Sequence, residues 1–477
     1  MSLNKLNIRD INSGLVEKKF SATEVLEDCL AVIKSKDKEL NSFVLVTEEE
    51  ARVQAKVVDD KIAGGEKIGA LEGVPAGLKD IFNTKGIQTT CCSKFLKGFK
   101  PPYNATVVER LNSAGMVMVG KLNMDEFACG GSTEHSCFGV TKNPHDLERV
   151  AGGSSGGSAA ALASDMCVYS MGTDTGGSVR QPASFCGVYG MKPTYGRVSR
   201  SGVTAMASSW DVVGPFTRTV EDMAYVMNVI AGKDKYDSTT LDVEVPDYLG
   251  FLGGDVKGLK VGLPKEYFGE GVDDETCEVV KKAASKLEAM GAEIINVSLS
   301  KTKYAVAVYY VTMPAELSAN LERFDGIRYG VPTSQEYSDT VDYYYKTRGE
   351  GFGDEIKRRI MIGTYVLSAG YYDAYYKKGQ QVRTLIIEDF DNAFKKVDVL
   401  LTPVSPFPAF KVGELADNPL AMYMADALTI PASAAGLPAM SCPFGTSKNG
   451  LPIGVQIIAP HWQEGRIMNV AKALESF

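Results

Sequence analysis

The chain has 477 residues, 44% of them hydrophobic and 23% charged, with a formal net charge of −8 at pH 7. That length fits one large α/β domain or two to three ordinary ones, and the acidic balance argues against autonomous binding to nucleic acid, which needs a basic footprint. No stretch approaches the ~18 apolar residues of a membrane span, and Met1 to Arg9 lacks a signal-peptide core, so a cytoplasmic location with no membrane partner is expected.

Ser21-Ala22-Thr23-Glu24 is a capping box, and Leu26, Leu30 and Ile33 on one side predict a helix to about Lys36. A second helix is predicted from Glu48 to Lys61, ending at Gly64-Gly65. Residues 1–65 thus read as a helical arm packed on the rest. Leu71 to Asp80 then brings turn residues into an apolar stretch that contains Lys79. Burying an ammonium costs several kcal/mol and drives its proton affinity down. Lys79 is therefore either a lysine that snorkels and pairs with Asp80 or a reacting amine.

Ala105 to Ser113 predicts a helix and Met116 to Gly120 a short buried strand. The glycine turn Gly130 to Glu134 follows, with His135 after it, for which a place at the surface or behind the reacting groups is expected. Residues Ala151 to Pro193 hold two glycine-flanked serine turns, Gly152 to Ser158 and Thr173 to Ser178. Paired glycines beside hydroxyls bring N–H donors and a nucleophile into one small space, which is an oxyanion-hole composition. Flexible Gly/Ser loops have the same composition, but here each run leads into apolar or helix-forming sequence.

Helices from Val220 to Ala231 and Glu275 to Met290, with strands at Lys260 to Leu263 and Glu293 to Val297, continue an α/β alternation. The fold class expected is α/β: one mixed, mostly parallel sheet with helices on both faces, in a single domain over 1–477. The acidic segment Lys233 to Gly254 reads as a surface connection. Tyr304 to Phe390 is dense in tyrosine, which suits core or a protein interface. The doublet Arg358-Arg359 opens an apolar helix, and Asp426 sits in the apolar run AMYMADALTIP. Pro431 to Pro438 and Leu451 to Gln456 read as two short strands, before a helix near Gly465 to Glu475. Nine cysteines without CxxC spacing read as reduced thiols, and none of the three histidines lies in a ligand motif, so no metal site is expected.

The runs GGSSGGSAA, TDTGGSVRQPA and GMKPTYGRVSR resemble the amidase signature family, and motif matches run from about Lys79 to the C-terminus. One departure is visible: Ala151 stands where the family usually has proline. The resemblance implies a Ser-Ser-Lys amidohydrolase in which Ser178 is the nucleophile, Ser154 relays its proton and Lys79 is the base. It places the oxyanion against backbone N–H groups of Thr175, Gly176, Gly177 and Ser178, and implies a cis peptide bond before Ser154. The wording of the motifs is nearest to the tRNA-dependent amidotransferase branch. There the positions matching Arg359, Asp426 and Tyr310 contact the substrate L-glutamine, the doublet leaving Arg358 open as the carboxylate clamp. The same resemblance implies a heterotrimer with B and C subunits, tRNA reached through the complex, and ATP and Mg²⁺ on the B subunit. This chain needs no cofactor of its own, in keeping with its lack of a GxxxxGK[ST] phosphate loop. Two other readings are a stand-alone amidase acting on an apolar or aromatic amide, and a catalytically silent scaffold using its tyrosine-rich helices.

Overall fold

The computed structural model describes residues 2–475. Its strands are β1 (Phe43–Val46), β2 (Pro75–Lys79), β3 (Val117–Leu122), β4 (Lys142–Asn143), β5 (Asp146–Val150), β6 (Tyr169–Asp174), β7 (Tyr189–Lys192), β8 (Val212–Thr217), β9 (Lys260–Pro264), β10 (Glu293–Val297), β11 (Val399–Pro403), β12 (Ala439–Thr446) and β13 (Pro452–Ile458). Eleven form one sheet in the order β1-β3-β2-β6-β8-β7-β12-β13-β11-β9-β10, and β4 pairs with β5 beside it. Every residue of β2, β3, β6, β8, β11 and β13 is buried, the pattern of strands covered on both faces.

The α/β class and the mixed sheet are as the sequence suggests, but the expected parallel majority is not found. Among the described residues, four neighbouring pairs of the large sheet are parallel and six antiparallel. The parallel pairs form two groups, β3-β2-β6 and β11-β9-β10, of which the alternation legible in sequence supplies β3, β9 and β10. Between them lies a block of antiparallel strands, β8-β7-β12-β13. A second correction concerns Pro431 to Pro438: the structure forms a short helix at Ile430–Ala434 with proline in its first turn, and β12 begins only at Ala439.

The N-terminal helices follow their local signals. Ser21 Oγ accepts the Glu24 N–H and the Glu24 carboxylate accepts the Ser21 N–H, so the capping box opens a helix at Ala22–Leu40. Ile11, Leu15, Leu26 and Leu30 enter the same buried cluster as the sheet residues Leu78, Val119 and Met171. No helix among the described residues is long and apolar enough to cross a membrane.

Three parallel neighbours place the site. β3 and β2 end level with each other at Leu122 and Lys79, and β6 runs two residues further, to Asp174. Loops leaving the carboxyl ends of adjacent parallel strands share one crevice. Asp125, Lys79 and Ser178 all leave the sheet at that edge.

Candidate active site

Lys79, the last residue of β2, is fully buried. Its Nζ lies within hydrogen-bond distance of three hydroxyls: Ser154 Oγ at 2.8 Å, Ser155 Oγ at 2.8 Å and Thr173 Oγ1 at 2.9 Å. The alternative pairing with Asp80 is not made. Asp80 accepts the N–H and hydroxyl of Thr90 and lies 3.6 Å from Lys121 Nζ. With no carboxylate in contact, burial dominates and draws the Lys79 amine down to about 7, against the attraction of Asp125, Asp174 and Asp211. A lysine in this state is a base at neutral pH.

Ser154 and Ser155 stand just ahead of the helix Gly156–Ala163, and the Gly153–Ser154 peptide bond is cis. Glycine is required at 153 because a β-carbon there would collide with the Asp125 carboxylate and with the backbone nitrogens of Ser132 and Thr133. Ala151, the departure from the family pattern, donates its N–H to the Thr141 carbonyl at 3.3 Å, a bond proline could not form.

The second turn runs from Asp174, the end of β6, to the helix Arg180–Cys186. The buried Asp174 carboxylate holds the Arg180 guanidinium through Nε at 2.9 Å and Nη2 at 2.8 Å and accepts the Val179 N–H at 3.2 Å. Arg180 also donates to the Thr429 carbonyl and to Gln456, so the turn is pinned to distant parts of the chain. Thr175 Oγ1 donates to Asp211 at 2.7 Å. Among the described residues, the backbone N–H groups of Thr175, Gly176, Gly177 and Ser178 have no acceptor. Such unspent donors in a rigid turn are what a developing oxyanion needs. Gly177 has φ of 152°, and a β-carbon there would collide with Thr429 Oγ1. Ser178, at the end of this row, is 5% exposed.

Beside the turn lies a narrow cavity lined by Gly131, Tyr309, Tyr310, Glu355, Arg359, Tyr423 and Asp426. Arg359, 3% exposed, comes from the helix Asp354–Leu367 and lies against the rings of Tyr310 and Tyr423, which stack at 3.9 Å. Its Nε donates to Glu355 at 2.6 Å, whereas its buried Nη1 has no partner. Asp426 Oδ1 is likewise buried without a donor, and burial raises the carboxyl to about 8. An unspent guanidinium nitrogen and an unspent carboxylate oxygen in one cavity fit the two charged groups of an α-amino acid. The structure also separates the arginine doublet. The Arg358 side chain is 45% exposed and borders a neighbouring cavity of about 440 Å³. The cavity at Arg359 has about 20 Å³ free, room for one water. A larger cavity of about 610 Å³ near Glu322 and Arg348 is lined by none of these groups.

The structure brings together Lys79 and Ser154 in direct contact, and sets Tyr310, Arg359 and Asp426 around one cavity. Ser155, Thr173, Asp125, Gln181, Glu355 and Tyr423 also build the site, and sequence reasoning did not single them out. Ser155 and Thr173 had a signal, being hydroxyls inside the two glycine turns. Glu355 had a weaker one, four residues ahead of Arg359 on the same helix face. His135 is half-buried at the cavity rim, where its N–H donates to Asp125.

These ionisations give a pH dependence. With Lys79 acting as a neutral base and Asp426 as a charged acceptor, kcat/KM for an amino-acid amide is expected to rise with pH through about 7 to 8. Initial rates of ammonia release from pH 5.5 to 8.5, where the substrate keeps its α-ammonium, check this. A rate that falls over that interval contradicts the assignment.

Comparison with known proteins agrees with this geometry. The chain is 54% identical over 475 residues to the glutamyl-tRNA(Gln) amidotransferase A subunit of Geobacillus thermodenitrificans, covering 100% of this chain and 98% of that one. It is 53% identical over 469 residues to the protein of the same name from Rippkaea orientalis, covering 98% and 97%. The crystal structure of the glutamyl-tRNA(Gln) amidotransferase A subunit from Thermotoga maritima superposes with a TM-score of 0.83 at 42% identity, covering 100% of this chain and 95% of that one. With residues 24–468 matching the amidase family as well, a buried lysine among hydroxyls at the mouth of a glycine-serine turn has its place: the chain belongs to the amidase family.

Proposed function

We propose that this chain is the glutamine-hydrolysing subunit of a tRNA-dependent amidotransferase. It releases ammonia from the glutamine side chain to a B subunit, which uses ATP and Mg²⁺ to convert Glu-tRNA(Gln) to Gln-tRNA(Gln), while a small C subunit completes the complex. The observation that carries this reading is the unpartnered pair Arg359 Nη1 and Asp426 Oδ1 beside the turn of Ser178. A neutral apolar amide gives no reason to bury those two groups there. The nine free cysteines, eight of them buried, suit a reduced cytoplasmic setting.

In the reaction, Arg359 takes the α-carboxylate of glutamine, Asp426 takes the α-ammonium, and Tyr310 walls the site. Ser178 Oγ attacks the side-chain carbonyl carbon as its proton passes to Ser154 and, from Ser154, to neutral Lys79. The oxyanion forms against the N–H groups of Thr175, Gly176, Gly177 and Ser178. When the C–N bond breaks, Lys79 returns the proton through Ser154 to the leaving nitrogen, and ammonia departs. Water then hydrolyses the γ-glutamyl ester by the same relay, releasing glutamate and restoring Ser178.

The test is to purify the chain alone and with co-expressed B and C subunits, and to assay glutamine hydrolysis and glutamine-dependent formation of Gln-tRNA(Gln). Transamidation by the complex, with slow or absent hydrolysis by the chain alone, is expected. A complex that hydrolyses aryl amides and ignores glutamine would overturn the reading in favour of a stand-alone amidase specificity.

A further inference from the structure

Asp125 reaches the catalytic turns from the third parallel strand, three residues beyond the end of β3. It is fully buried and, among the described residues, forms no ion pair. One carboxylate oxygen accepts the Thr133 N–H at 2.9 Å and the other the His135 N–H at 3.1 Å. Its own N–H donates to the Ser154 carbonyl at 3.2 Å. One side chain thus holds the loop that lines the amino-acid cavity, while the same residue's backbone holds the serine that contacts Lys79. Glycine at 130 and at 153 is what lets both segments close on this carboxylate, since a β-carbon at either would strike it. Gln181 reinforces the junction, accepting the Gly153 N–H at 3.0 Å and donating to the Gly131 carbonyl at 2.7 Å.

The ionisable groups facing Lys79 are Asp125, Asp174, Asp211 and the thiols of Cys91 and Cys92. Both thiols are raised by burial and stay uncharged. Asp174 spends its charge on Arg180. Asp211 is occupied by Thr175 and by the N–H groups of Met206 and Ala207, and burial raises it to about 6. Asp125 alone meets only backbone N–H groups and has no cation of its own, and it leads the attractions that oppose loss of the Lys79 proton.

We infer that Asp125 is a positioning residue for this reaction, acting through Lys79 by its charge and through Ser154 by its contacts. The inference rests on Lys79 being the base. Its test is the pH dependence of kcat at saturating glutamine, measured on the complex with its partner subunits. Asp125→Asn removes the charge and leaves the shape. Asp125→Ser also removes it and leaves room for a water to accept the two N–H groups, in case the asparagine does not fold. Both neutral variants are expected to move the midpoint of the rising limb down by about one pH unit, the effect of losing a neighbouring opposite charge. Plateau kcat is expected to fall about a hundredfold, the lower end of what a displaced proton relay costs. Asp125→Glu is expected to restore the midpoint but not the full rate. A midpoint unmoved in both neutral variants overturns the inference, whereas a wild-type enzyme with no limb near neutrality removes Lys79 as the base as well.

Discussion

Ser178→Ala is expected to lower kcat for glutamine hydrolysis by about 10⁴- to 10⁶-fold while the protein folds as before. Loss of a nucleophilic serine that works as one unit with its base removes nearly all the chemical advantage, leaving only binding and oxyanion contacts. The fold is spared for a specific reason. Among the described residues the Ser178 hydroxyl makes no hydrogen bond, while the turn is held by the Asp174–Arg180 pair, by Thr175 on Asp211 and by Thr429 on the Gly176 carbonyl. None of these involves the deleted oxygen. Ammonia release by the complex, read beside an unchanged melting temperature, checks both halves. Turnover above a hundredth of wild type would remove Ser178 from the role of nucleophile.

Lys79→Arg and Lys79→Met are the second pair of large effects. Methionine keeps the length and apolar stem of lysine but cannot take a proton, so the rate is expected to fall by about 10³-fold or more at every pH. Arginine keeps the charge but never gives up its proton, and its planar fork does not fit a site where one nitrogen meets three hydroxyls at 2.8 to 2.9 Å. An arginine enzyme is therefore expected to be as inactive as the methionine one. The two differ in stability: the methionine variant adds no charge to the interior, whereas a buried unpaired guanidinium costs several kcal/mol. Ammonia release and thermal unfolding of both variants, from pH 6 to 9, provide the check. An active arginine variant would contradict the role of Lys79.

Much of this site was legible because its chemistry is local. The glycine-serine turns announce themselves in a few residues, and a lysine among apolar neighbours stands out at once. Whether that lysine pairs with Asp80 was not legible. Asp80 finds Lys121, forty-one positions further on, and only the parallel pairing of β2 with β3 brings the two together. The charged groups of the cavity follow the same division. Arg359 and Asp426 were visible as charges in apolar sequence, but the choice of Arg359 over Arg358 depended on which face of the helix turns inward. Tyr423 and Glu355 complete that cavity through a contact between segments 68 residues apart, which no local pattern encodes. In the fold, β2, β6 and β11 were not read as strands, whereas the N-terminal helices and the strands β3, β9 and β10 carried clear periods. The antiparallel centre did not, and the apolar run at Pro431 to Pro438 had the length and composition of a strand while its proline favoured a helix start.

In the proposed mechanism Ser178, activated through Ser154 by an uncharged Lys79, forms a covalent acyl-enzyme with glutamine. The most direct measurement is acid quenching of the complex during turnover, followed by peptide mass spectrometry. A γ-glutamyl ester on the peptide that contains Ser178, present in wild type and absent in Lys79→Met, is the predicted result. An ester on Ser154 or Ser155, or glutamine turnover that persists in Ser178→Ala, would contradict it.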